Sequence, residues 1–463
     1  MKKVILSALF LTTMIAEAQQ SFAGLRESSY SGIYQATANP AYMISNKRSW
    51  DANIVSVNAG FSNNAIKLVS TDFTKQFNDY TRLDANNTLL AQNDINARIN
   101  VDVLGPSLFL KINDQHSVGF FSRARVLGNL NNVDAKMLQT YISDFEKMEL
   151  RNNYSIDLNN QEVVLNAFSE VGFSWAGELY FDGHNAFKAG ATIKYVMGAA
   201  NLYAGFRDFN GTASLTTDTN TRKVMLNIQS NNGVFEVMNG GSDLISNFNA
   251  GDLLASKAST VGFDLGFVYE YRKDGCRDCH NRPHDLRIGL SIMDIGRIKY
   301  TTNKESYTYR MPNSGPVSFD LDDISEETLK NAGFKTEKAI GRNVRSSLPT
   351  TFNLSADYRV IDGFYVNAAT QLNITSKSNS DLYNARYANE FSITPRFDTN
   401  SFGAYLPISY NQISKMNLGL ALRLGPLVLG SSTFIGNFVT KSAKEINFFV
   451  GLRFGHKAYP IEI

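Results

Sequence analysis

Alternation with a period of two, repeated in segment after segment, restricts most what this chain can become. Near the C-terminus Ile446, Phe448, Val450, Leu452 and Phe454 fall on one face and Asn447, Gly451 and Arg453 on the other, with Phe449 the one large exception. Met416, Leu418, Leu420, Leu422 and Leu424 oppose Asn417, Gly419 and Arg423 in the same way. Val261, Phe263, Leu265, Phe267, Tyr269 and Tyr271 oppose Gly262, Asp264, Gly266 and Glu270, and the pattern recurs over 171–181, 187–195 and 352–360. Successive strand side chains point to opposite sides, so each segment reads as a strand with one apolar and one polar face. About 10 such residues cross a bilayer as a tilted strand.

The spacing of these segments separates a membrane barrel from a secreted or periplasmic β protein, the competing reading. The connections run long and short by turns: 71–96 long, 112–116 short, 128–163 long, 182–185 short, 206–258 long, 274–284 intermediate, 301–348 long and 361–363 short. Those at 377–389, 397–400, 412–415, 425–426 and 436–444 complete a set of fourteen strands. Barrels of the outer membrane have an even strand number, tight periplasmic turns and long outward loops. The expected fold is therefore all-β, a 14-stranded antiparallel transmembrane β-barrel over residues 49–454 with a periplasmic tail at 455–463.

The N-terminus agrees with export. Met1-Lys2-Lys3 precedes an apolar stretch from Val4 to Ile15, and Ala16-Glu17-Ala18 fits a signal-peptide cleavage site, which gives a leader over residues 1–18. No Cys follows that site, and no later run of about 18 apolar residues offers a membrane helix. With 45 basic and 43 acidic residues, unclustered, the chain shows no nucleic-acid footprint. Mean hydropathy of −0.21 argues against a helical membrane bundle.

Between the leader and the first strand stands Ala38-Asn39-Pro40-Ala41-Tyr42. Read locally, Asn-Pro initiates a turn that caps the first strand. In this position, ahead of fourteen strands, Asn39, Pro40 and Ala41 resemble the N-terminal hatch of the long-chain fatty acid transporter (FadL-like) family of outer-membrane barrels. The overall pattern is similar to Bacteroidetes members of that superfamily, including accessory barrels of the type IX secretion system. The resemblance implies that residues 19–48 fold into the barrel as a plug.

On the barrel reading, Arg98, Asp102, Arg123, Arg125, Glu170, Glu178, Lys188, Lys194, Asp264, Glu270, Arg287, Arg297, Asp357, Arg359, Arg396 and Arg423 face the lumen. Both signs are present, so internal pairing is expected rather than a wide channel of one sign. Three long loops carry helical signals: an apolar stripe at Met137, Leu138, Tyr141, Phe145 and Met148; Asp323 with Glu326 as a capping pair and Gly333 as a stop; and a weaker piece from Asp243 to Phe248. Such helices could be lids, docking faces or plain loop packing.

The only cysteines lie in Cys276-Arg277-Asp278-Cys279-His280, followed by His284, in an expected periplasmic turn. A disulfide between Cys276 and Cys279, a metal site of Cys276, Cys279, His280 and His284, or covalent haem each fits the spacing. The disulfide is the reading adopted, with no cofactor; His116, His184 and His456 also fall toward the periplasmic end. No serine-hydrolase elbow, zincin motif or phosphate loop is present, so no catalytic residue is assigned. Two functions remain. The first, which the resemblance implies, is uptake or passage of small hydrophobic molecules. The second is a non-transporting barrel subunit of an outer-membrane secretion or assembly complex, binding other outer-membrane proteins through its outward loops. Membrane lipid is a partner in both.

Overall fold

The computed structural model describes residues 21–65, 94–134, 154–221, 223–230, 232–244, 250–254, 256–275, 284–312, 315–320, 325–375, 383–439 and 444–457. The leader, the stripe from Met137 to Met148, Cys276, Cys279, His280 and Asp323 lie outside them.

Fourteen wall strands follow in chain order: β1 (Arg48–Asn63), β2 (Asp94–Lys111), β3 (His116–Asp134), β4 (Glu162–Phe181), β5 (Asn185–Arg207), β6 (Ala258–Tyr271) and β7 (Leu286–Ile295). Then come β8 (Thr351–Ile361), β9 (Phe364–Asn373), β10 (Glu390–Asp398), β11 (Phe402–Tyr405 with Ile408–Asn411), β12 (Lys415–Leu418 with Leu420–Leu424), β13 (Leu427–Ser431) and β14 (Glu445–Lys457). Each pairs antiparallel with its neighbour, and β1 pairs with both β2 and β14, with Asp51 opposite Gly455, so the sheet closes without an edge. β14 runs to Lys457, so the first residues of the expected tail belong to the wall.

The outward face is the apolar one. Phe263, Leu265, Phe267, Phe448, Leu452 and Phe454 are exposed, while Asp264, Glu270, Asn447 and Arg453 are buried. In water that exposed belt would be costly; in lipid it is the stable arrangement, and closure leaves no unpaired backbone to face the hydrocarbon. A closed fourteen-strand barrel of this kind is an outer-membrane protein.

Two local features bend the wall. β2 carries Gly105 and Pro106 opposite the single residue Ser122, a bulge in its register with β3. Farther round, Leu406-Pro407 interrupts β11, because proline has no N–H for the ladder, and Gly419 answers it in β12 by donating its N–H to Pro407 O at 2.8 Å.

β4 and β5 hold 20 and 23 residues, about twice what a bilayer needs, so they rise above the membrane and carry a cap. Val234–Gly241 pairs with the end of β5, Tyr307–Arg310 with Val234–Gly241, and Lys335–Lys338 with Tyr307–Arg310. A separate four-stranded sheet comprises Tyr154–Asp157, Asn210–Thr217, Val224–Ser230 and Val317–Asp320. Between the two packs a core that includes Phe209, Leu226, Ile228, Phe235, Tyr309, Phe319, Leu329 and Phe334. Among the described residues, the connections after β5 and after β7 are mainly strands, with one of the expected helices among them. The helix at Glu326–Asn331 does form, but its N-cap is Ser325, whose Oγ accepts from Thr328 N at 3.1 Å. Gly333, at φ +97°, ends it as expected, with Phe334 N bonded to Leu329 O. Of the Asp243–Phe248 piece only 243 and 244 are described, and neither is helical; a short 3-10 turn stands at Ala250–Leu253.

Candidate functional site: the barrel interior

Three layers fill the interior. Just under the cap lies an apolar, tyrosine-rich layer of Leu127, Phe168, Tyr203, Met238, Ile298, Tyr300, Val344 and Leu348, with Tyr383 and Tyr387 against it. The hairpin of Arg297–Thr301 and Asn343–Ser347 supplies part of this layer by dipping into the mouth. Tyr300 enters because Gly198 and Gly240 leave room, a Cβ on either lying 2.7–2.8 Å from its ring or Cβ, and its hydroxyl donates to Asn166 Oδ1 at 2.9 Å. The irregular segment from Tyr383 to the start of β10 crosses beside it. Asn201 Nδ2 donates to Tyr383 O at 3.0 Å, and Asn129 both donates to Arg386 O (2.9 Å) and accepts from Arg386 N (2.6 Å).

The middle layer is ionic. Arg123 binds Asp102 (2.6 Å) and Glu170 (3.4 Å), Arg125 binds Glu170 (2.7 Å) and Asp294 (2.6 Å), and Lys194 binds Asp264 (2.7 Å) and Asp294. All seven side chains are buried. Charges in such surroundings persist only when paired, and each of these four carboxylates and three cations has at least one partner of opposite sign.

The lowest layer is the segment 21–47, whose 3-10 turns Gly32–Thr37 and Pro40–Ser45 are buried throughout. A collar of wall charges surrounds it. Asp51 lies between Arg48 and Arg453, Asp398 between Arg396 and Arg423, Asp357 between Arg287 and Arg396, and Glu270 between Lys188 and Arg272. Seven cations thus face four carboxylates, and the segment supplies the remaining partners. Arg48 and Arg453 both donate to Tyr30 O, and Arg287 donates to Glu27 O. The guanidinium groups of Arg287, Arg423 and Arg453 also lie over the rings of Tyr42, Tyr30 and Tyr34, at 4.5, 5.4 and 5.4 Å.

Asn39, Pro40 and Ala41 rest on glycine. Asn39 Nδ2 donates to Phe267 O (3.2 Å) and Leu290 O (3.1 Å), while its Oδ1 accepts from Ala41 N (2.9 Å). Three wall glycines permit this approach: a Cβ on Gly190 would lie 2.4 Å from Ala41 N, on Gly266 1.9 Å from Asn39 Oδ1, and on Gly289 2.1 Å from the Tyr42 hydroxyl. Gly190 and Gly266 are direct cross-strand partners, so the platform is a feature of register. Beside it, Arg26, Tyr42, Ser291 and Ser355 border a cavity of about 20 Å³, room for roughly one water.

Of the expected lumen residues, Asp102, Arg123, Arg125, Glu170, Lys188, Lys194, Asp264, Glu270, Arg287, Asp357, Arg396 and Arg423 are all buried inside. Arg297 is not: it is exposed on the hairpin, beyond the end of β7. Arg98, Glu178 and Arg359 are half-buried, Arg359 pairing with Asp285 and Asp362 at the periplasmic turns. Asp294 escaped the sequence reading because the β6–β7 register shifts between Phe263 and Leu265. Asp294, at φ +61°, thereby turns inward out of phase. His284 is buried with Nε2 2.6 Å from Asp357 Oδ2, hydrogen-bonded to that carboxylate rather than an open ligand. Among the described residues no group of His, Cys, Asp or Glu is arranged to hold a metal, and His116, His184 and His456 do not assemble into one.

Among solved structures the chain is similar to a Pseudomonas aeruginosa FadL homologue, at 11% identity and TM-score 0.44 over 96% of this chain and 100% of that one. It is also similar to the Ralstonia pickettii toluene transporter TbuX (11% identity, TM-score 0.40, 92% and 94% covered) and to the P. putida toluene transporter TodX (8%, 0.40, 93% and 96%). No curated protein matches. Residues 40–432, from the proline of the Asn-Pro-Ala step to just past β13, match the family described as "Family of unknown function (DUF5723)", and the chain belongs to that family.

Proposed function

We propose that this outer-membrane barrel passes small hydrophobic molecules and that the segment 21–47 acts as its plug. The observation that carries the reading is the apolar, tyrosine-rich layer beneath the cap. Ligand sites for such molecules are mostly apolar with a few placed polar groups, and the hydroxyls of Tyr203, Tyr300, Tyr383 and Tyr387 among Leu127, Phe168, Ile298 and Leu348 have that composition. A solute admitted by movement of the inserted hairpin meets the ionic layer next. Displacing those buried pairs without replacing their partners is costly, so the ionic layer holds the solute in the tyrosine layer until its charges rearrange together with the plug. The plug closes the way below. Many of its ties to the wall are hydrogen bonds that water can replace, about 1 kcal/mol net each between neutral groups and about 1.5–3 kcal/mol where an arginine donates, so it can leave its seat without the barrel unfolding.

The test is uptake of N-phenyl-1-naphthylamine by cells whose outer membrane is otherwise intact. Deletion should slow uptake, the native chain should restore it, and Ala385→Trp, which puts an indole on a fully buried alanine of the tyrosine layer, should restore it only in part. Unchanged uptake on deletion, together with a stoichiometric protein recovered in mild detergent, would replace this reading with docking through the cap, whose independent core makes it a rigid platform.

A further inference from the structure

We propose that the outer wall binds a phospholipid with a primary ammonium headgroup at the periplasmic ends of β4, β5 and β6. Tyr180, Phe187 and Tyr269 stand in one row across these strands, since Tyr180 pairs with Phe187 and Phe187 with Tyr269. Their ring centroids are 6.1 and 5.1 Å apart, tilted by 50° and 41°. With Asp182 and Asn185 they line an open groove on the lipid-facing side.

The polar end of that groove is anionic. Asp182, fully exposed in the β4–β5 turn, accepts from Asn185 N (2.6 Å), His184 N (2.9 Å) and Asn185 Nδ2 (3.0 Å), and with Tyr180 OH at 3.4 Å these bonds hold its carboxyl down to about 2. Among the described residues no cation pairs with it. A carboxylate beside three π faces suits a compact ammonium, which can bond the oxygen while lying over a ring.

The wall above has room for a chain. Outward-facing Ala189 and Ala191 of β5 form a low floor between Gly177 and Trp175 on one side and Phe267 and Leu265 on the other. Trp175 leans over Gly177, where a Cβ would come within 2.6 Å of the indole. The trough leads from the hydrocarbon to the aromatic row, the path of an acyl chain below a headgroup at the interface. An ordinary aromatic belt would anchor the barrel without choosing between headgroups; the carboxylate adds the choice.

The full chain, reconstituted in bilayers of equal phosphatidylethanolamine and phosphatidylglycerol and then extracted gently, should retain the amine lipid in about fivefold excess by native mass spectrometry, equivalent to about 1 kcal/mol. Asp182→Asn keeps the acceptor that forms the turn and should bring the ratio near one, and Tyr269→Leu should lower it. Heat-modifiable migration confirms that each variant is folded. Equal retention of both lipids by the native chain, or an unchanged preference in folded Asp182→Asn, would overturn the proposal.

Discussion

A side chain on Gly266 would begin 1.9 Å from Asn39 Oδ1, so the wall and the N-terminal segment fit only because one of them has no Cβ at that point. Gly266→Val should leave β6 in place, since valine suits a strand, but lift Asn39 from the carbonyls of Phe267 and Leu290. Losing those two bonds at about 1 kcal/mol each would raise protease cleavage near Asn39 roughly tenfold or more in the folded barrel. Unchanged protection would mean that the seat lies elsewhere.

Asp357 serves three groups at once, taking both terminal nitrogens of Arg396 at 2.6 Å, His284 Nε2 at 2.6 Å and Arg287 at 3.4 Å. Asp357→Ala strands two buried guanidinium groups and should cost about 3–5 kcal/mol, read as a lower urea midpoint in detergent. The change in the exposed pair, Glu326→Ala beside Lys330, should cost well under about 1 kcal/mol and serves as the comparison.

Burial, followed by the nearby Arg287 charge, lowers the proton affinity of His284 to about 4, against the pull of its bond to Asp357. An unfolded histidine titrates near 6.5. Between those values the unfolded chain holds the extra proton, so stability is full above about 6.5 and falls as the pH drops toward 4, by roughly 3 kcal/mol in total. Urea titrations of the barrel at pH 7.5, 6 and 5 should show this decline, and His284→Gln should flatten it. Matching slopes in the two proteins would assign the pH effect to another group.

Topology can be read with a membrane-impermeant maleimide on single cysteines in a background lacking the native pair. Ser325 sits on the cap, whereas Gly183 and Asp362 lie in the β4–β5 and β8–β9 turns. Cells should label at Ser325 only; the reverse would invert the barrel.

Much of the wall was legible in the sequence. Alternation gave the strand faces, because a strand buries every second side chain and a wall between lipid and a filled lumen treats the two faces oppositely. Loop spacing gave the strand number and the order of tight and long connections. Even the exception was informative: Phe449 breaks the alternation because it points inward onto Phe22, 5.8 Å away, so an apolar residue on the polar face marked an apolar occupant of the lumen.

The cap and the pairing inside were decided only by tertiary structure. Short strands such as Tyr307–Arg310 and Val317–Asp320 have little periodicity of their own and form because partners more than 60 residues distant supply the ladder and the core. Charge composition required that the lumen pair internally, but which carboxylate meets which cation depends on register across neighbouring strands and on one bulge that turned Asp294 inward. The seat of Asn39 was equally hidden: Gly190, Gly266 and Gly289 are scattered in sequence, and only the closed sheet brings them under one short segment.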